Sequence, residues 1–192
     1  MTALGLRIKS GYAIAVVLTG RSKAPTVVAR RVVDLSDPGA PETRQPYHDG
    51  FFKEEHDSPE IARRVKIVKR RAQTSMRALI EETCGATRPG VSARAALVVG
   101  SVIDPRQIGN PHIRAHAREG RLFRTVVEDA LRSHGIECDV IVEKQLTTRA
   151  AADLRRPDAE IKRAIAVFGK TVGGPWRAEE KAAATAAWLA MR

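Results

Sequence analysis

The first thirty-four residues alternate short apolar runs with turn residues. "TALGLRI", "YAIAVVLT" and "PTVVARRVVD" are rich in Val, Ile, Leu and Ala, with Ser10-Gly11 and Gly20 to Lys23 between them. The pattern predicts strands over Thr2 to Ile8, Tyr12 to Thr19 and Pro25 to Asp34, and connections this short make neighbours antiparallel. Residues 35 to 58, "LSDPGAPETRQPYHDGFFKEEHDS", then abandon any periodicity. Three prolines, two glycines and many charges there predict a long surface loop.

Beyond it the apolar period changes from two to that of a helix. Ser58-Pro59 supplies a cap with proline at the first helical position, and Ile61, Val65, Val68, Ala72, Met76 and Leu79 follow at three- and four-residue steps toward Cys84-Gly85. "ARAALVVGSVID", ending at Asp104, is apolar almost throughout, as a strand covered on both faces must be. Asn110-Pro111 opens a second helix, with Ile113, Phe123, Val126, Val127, Ala130 and Leu131 on its apolar face, stopping at His134-Gly135. "ECDVIVEK" reads as a strand, and Thr147 to Leu154, Asp158 to Phe168 and Arg177 to Met191 as helices. The order β-β-β-α-β-α-β-α predicts an α/β fold, a mixed five-stranded sheet with helices on both faces, in one domain spanning residues 1–192.

Composition sharpens this picture at three points. The chain has no apolar window long enough to span a membrane and its start lacks the features of a secretory signal, so a cytoplasmic protein without a membrane partner is expected. Cys84 and Cys138 lie far apart with no metal-binding spacing, which predicts reduced structural thiols. A formal charge of +11 makes nucleic acid the first partner to consider, although 4% aromatics offers little for stacking single-stranded bases.

One residue contradicts its own strand: Arg7 is a cation in the middle of "LGLRIKSGYAIAVV". That opening and the element order resemble the ribonuclease H-like fold, and within it the Holliday-junction resolvase group. There the first strand reads Leu-Gly-Ile-Asp before a glycine-containing turn, and the resemblance implies that the Asp helps hold two divalent metals. Arg7 falls at that position. A guanidinium stays protonated and repels Mg²⁺ instead of ligating it. The remaining acids that the resemblance points to are Asp104 and, on the last helix, Glu179 and Glu180, with Ala183 and Ala184 occupying the next turn. So few carboxylates imply a degenerate member that keeps the scaffold without the two-metal chemistry. The residues themselves leave Arg7 two other uses: pairing with Glu143 on a neighbouring strand, or touching phosphate.

His112 and His116 stand one helical turn apart, the spacing of two zinc ligands, but no third ligand is evident nearby and Arg114 and Arg118 flank them. No metal is therefore expected. The row Arg114, Arg118, Arg121 suits anions better, as do Arg63, Lys66 and Arg70 on the first helix. His48, Asp49, Glu54, Glu55, His56 and Asp57 read as a mobile acidic loop. "GKTVGGPW" lacks the order of a phosphate loop, which excludes a nucleotide-hydrolysing reading.

The expected function is a resolvase-like nucleic-acid-binding domain, catalytically degenerate and without cofactor. Two alternatives stand beside it. One is a homodimeric interaction protein packed through Trp188 and Phe123, its charge incidental. The other is an active nuclease using Mg²⁺ or Mn²⁺ on Asp104, Glu143 and Glu180.

Overall fold

In the computed structural model, residues 1–50, 53–85 and 93–192 are described. Strands β1 (Thr2–Lys9), β2 (Tyr12–Arg21) and β3 (Ala24–Asp34) form the expected antiparallel meander. The two-residue connection at Ser10-Gly11 works because Gly11 takes φ +85°, a region that side chains with a Cβ avoid. β4 (Ala93–Val99) lies parallel to β1, and β5 (Glu137–Val142) parallel to β4, giving the order β3-β2-β1-β4-β5. The mixed five-stranded sheet is as the sequence implies.

The period-two alternation of β1 sorts its residues between two cores. Leu4, Leu6 and Ile8 join Ala13, Ala15, Leu97 and Val99 under helices α1 (Ser58–Cys84) and α2 (Pro111–Ser133). Ala3 packs with Ile14, Val16 and Val98 under α3 (Leu146–Leu154), α4 (Asp158–Val172) and α5 (Ala178–Ala190). Gly5 faces α5 so closely that a Cβ would lie 1.8 Å from the carbonyl oxygen of Ala183. The alanine run of α5 is what permits this approach, since Ala183, Ala184, Ala186 and Ala187 are all fully buried.

Several boundaries move. β4 stops at Val99, so Asp104 leaves the strand and caps a short 3₁₀ turn, Pro105–Gln107, accepting from the Arg106 N–H at 3.0 Å. β5 stops at Val142, which places Glu143 in a 3₁₀ turn. The segment after β3 is folded down where a mobile loop was expected. Thr43, His48 and Glu54 are buried, and His48 and Glu54 form an isolated antiparallel bridge. Its residues 51 and 52 lie outside the described residues. Phe123 and Trp188 are core residues, the latter donating its Nε1–H to the Ser22 carbonyl at 2.8 Å, so neither ring is available to a dimer partner. Among the described residues no helix is long and apolar enough to cross a membrane.

Candidate functional site

Arg7 pairs in register with Val98 of β4 near the carboxyl ends of both strands. Its guanidinium is buried, and it is held three times. Nη1 donates to the carbonyls of Ile8 at 2.8 Å and Val98 at 3.3 Å, and Nη2 to the Glu143 carboxylate at 2.6 Å. Nε has no partner. The side chain forms the floor of a cleft of about 440 Å³ whose other walls include Gly100, Ser101, Ile103, Ile113 and His116.

The three candidate catalytic carboxylates do not share a site. Glu143 faces Arg7, with its carboxylate half exposed. Asp104 is held by Arg106 at 2.5 Å, with Arg121 at 4.0 Å, and the Arg106 hydrogen bond brings its pKa down to about 2. Glu180 is buried on α5 and bonds Arg30 of β3 at 2.6 Å and the Arg177 N–H at 2.8 Å. Burial alone would raise its pKa, but those donors bring it below the usual carboxylate range. Each acid is thus paired with an arginine of its own, two in 3₁₀ turns and one on α5. The two hard cations implied by the resolvase resemblance do not fit these residues, because a buried guanidinium occupies the strand position and, among the described residues, the three acids form no group close enough to share an ion.

The basic rows fare differently. A groove of about 560 Å³ runs between α1 and α2, lined by Lys69, Arg106, Arg114, Arg118 and Arg121, with Glu54 and Asp104 as its only acids. Arg114 and Arg118 both turn to the buried Glu54, at 2.6 and 3.3 Å, and hold its carboxyl below the ordinary range. Arg118 also stacks 4.1 Å over the Tyr47 ring. Arg63, Lys66 and Arg70 are exposed on α1 outside the groove, and Arg63 is tied to Glu42 and Glu60, each at 2.7 Å. Lys69, adjacent to the row rather than in it, is the α1 cation that reaches the groove.

A further constellation was only half visible in the sequence. His48, on the segment after β3, packs its ring against His112 and His116 of α2, with one nitrogen of each lying within 4.8 Å of the others. Among the described residues this is the only group of three such donors close enough to share an ion. Behind it sits Glu119, fully buried, 2.7 Å from His48 Nδ1 and 3.3 Å from His116 Nδ1. Burial raises the Glu119 pKa to about 7 and lowers that of His48. Glu119 was detectable in principle, three residues after His116 on the same helix face; His48 gave no local signal.

Comparison with known proteins follows the fold. No family model matches the chain, and no curated protein matches it in sequence. Among solved structures, Thermus thermophilus RuvC superposes with a TM-score of 0.57 at 10% identity, covering 98% of this chain and 92% of its own. T. thermophilus RuvC in complex with Holliday junction substrate gives 0.56 at 13% identity, covering 98% and 91%. The chain therefore has the ribonuclease H-like fold of the junction resolvases, and at such identities the likeness speaks for the fold alone.

Proposed function

We propose that this protein binds structured nucleic acid through phosphate contacts and has lost the two-metal nuclease chemistry associated with its fold. The observation that carries the binding half is the groove between α1 and α2, where five cations from two helices and a 3₁₀ turn face two acids. Arg114 and Arg118 share Glu54 and Arg106 holds Asp104, so the groove keeps an excess of three positive charges, and the exposed Lys69, Arg106 and Arg121 are the groups that phosphate can reach. Three clustered cations within a chain of net charge +11 favour a backbone-directed, sequence-independent mode. That a RuvC of the same fold is known in complex with a Holliday junction makes branched DNA the first substrate to try. The lost chemistry is supported by Arg7, whose buried, ion-paired guanidinium stands where the resolvase resemblance would put a metal carboxylate.

Fluorescence anisotropy with four-way and linear duplex DNA over a salt series tests the binding. Affinity should fall steeply with salt. Replacing Lys69, Arg106 and Arg121 by Ala should weaken it and flatten the log–log salt slope by about 0.9 per lost contact. Arg114 and Arg118 are poor choices, since their removal strands a buried carboxylate. Absence of binding at low salt would end the reading, and junction cleavage by the wild type in Mg²⁺ or Mn²⁺ would refute the degenerate half of it.

A further inference from the structure

The three imidazoles come from stretches with no reason in local structure to meet. His48 lies 64 residues before His112, on the segment that follows β3, while His112 and His116 occupy consecutive turns near the start of α2. Their spacing has a definite chemical length. A tetrahedral ion with metal–nitrogen bonds of about 2.0–2.1 Å holds its nitrogens about 3.3–3.4 Å apart. His48 Nε2 and His112 Nδ1 are 3.3 Å apart.

Orientation agrees with distance. Glu119 engages Nδ1 of both His48 and His116, which fixes those rings and leaves each Nε2 for another partner. A buried carboxylate behind ligating histidines is the usual outer support of such sites, because it sets the tautomer and aims the lone pair. The flanking cations do not oppose an ion here, since Arg114 and Arg118 direct their guanidinium groups at Glu54. Three imidazoles with no oxygen among them suit borderline ions such as Zn²⁺ and give Mg²⁺ nothing it prefers.

We infer that His48, His112 and His116 bind one zinc-class divalent ion, with Glu119 as a positioning residue. Of the three, His116 also lines the cleft above Arg7, and a site of three protein ligands keeps a fourth position for water or an anion. The ion ties the segment after β3 to α2. It is unrelated in donor chemistry to a carboxylate site for hard cations, and it does not depend on nucleic-acid binding.

Full-length protein stripped with chelator and titrated with Co²⁺, then Zn²⁺, tests this by visible absorption and calorimetry. One equivalent of Co²⁺ should bind with the intense ligand-field bands of four-coordinate cobalt, and Zn²⁺ should displace it. His116→Ala, at an exposed ring, should abolish the bands with the far-ultraviolet circular dichroism unchanged; His112→Ala is the second variant should the first misfold. Glu119→Gln should keep the bands but weaken affinity about 10–100-fold. Absence of saturable Co²⁺ bands in the wild type, or bands that survive in a folded His116→Ala or His112→Ala, would overturn the site and leave His48 and His112 as a plain hydrogen-bonded pair.

Discussion

Arg7→Met and Glu143→Ala break the same ion pair, and the structure makes their consequences unequal. Arg7 is 6% exposed, whereas the Glu143 carboxylate is 50% exposed. Methionine retains the aliphatic stem, fills most of the same space and removes the charge, while Glu143 can swing into water. What is lost is the pair itself, which an apolar replacement often offsets, and the donors to the Ile8 and Val98 carbonyls. The expected cost is about 1 kcal/mol. Glu143→Ala instead leaves a buried guanidinium with two carbonyl acceptors and no counter-charge. Stranding a buried ion costs about 3–5 kcal/mol, and access through the cleft reduces this to about 2–3 kcal/mol here. Urea titrations with unchanged m-values should therefore place the midpoint of Arg7→Met above that of Glu143→Ala, although Arg7 is the more deeply buried residue. In thermal melts each kcal/mol corresponds to about 2–4 °C for a chain of this size. If Arg7→Met is as destabilising as Glu143→Ala, the guanidinium is held by its packing and carbonyls, and the argument from counter-charge is wrong.

Gly5→Ala places a methyl 1.8 Å from a backbone oxygen, which no rotamer can relieve, so α5 must lift from the sheet; chemical denaturation should show a loss of about 3 kcal/mol or more. Burial pushes the Cys138 thiol up to about 12, leaving about one part in ten thousand as thiolate at pH 8, so alkylation should be far slower than for free cysteine until the protein unfolds. Glu180 titrates below its ordinary value of 4.5, so the stability it contributes is complete above pH 4.5 and is lost as pH falls through its folded pKa; Glu180→Gln should flatten the acid limb of the stability–pH curve, and an unchanged limb would refute the coupling to Arg30. Arg7→Asp sets a carboxylate beside Glu143 in place of the repelling cation, so calorimetry should detect Mn²⁺ binding in this variant and none at that cleft in the wild type.

The sheet was legible because its signals are local. Turns as short as Ser10-Gly11 leave antiparallel pairing as the only geometry, and the unbroken apolar run of β4 admits only a central position. The Arg7–Glu143 pair was within reach too, since Arg7 near the end of β1 and Glu143 just past β5 both lie at the carboxyl ends of parallel strands, with β4 between them. Where the reading failed, the deciding contact was distant or the cost of burial invisible. Nothing in "YHDGFFKEEHDS" says that His48 and Glu54 turn inward, because their partners, Glu119 and Arg114, lie about sixty to seventy residues away. The charge count treated Arg114 and Arg118 as surplus cations, and a buried glutamate had already claimed them. On α2, Glu119 stands one turn past His116, outside the two-histidine spacing that marks a zinc pair.

The contact between Gly5 and α5 joins the first strand to the last helix, and this sets an order on folding during synthesis. β1, β2 and β3 can pair as soon as they leave the ribosome, and α1 and α2 can then close over Leu4, Leu6 and Ile8. The opposite face, with Ala3, Ile14, Val16 and Val98, must wait for Ala183 and Ala187, some 180 residues later. At 5–20 residues per second the sheet stands with one oily side bare for roughly ten seconds or more, the interval in which a nascent chain is most exposed to chaperones and to its neighbours. Closure by α5 is thus the most non-local event among these elements, and it delays the burial of Arg7's side of the sheet until α5 itself has been made.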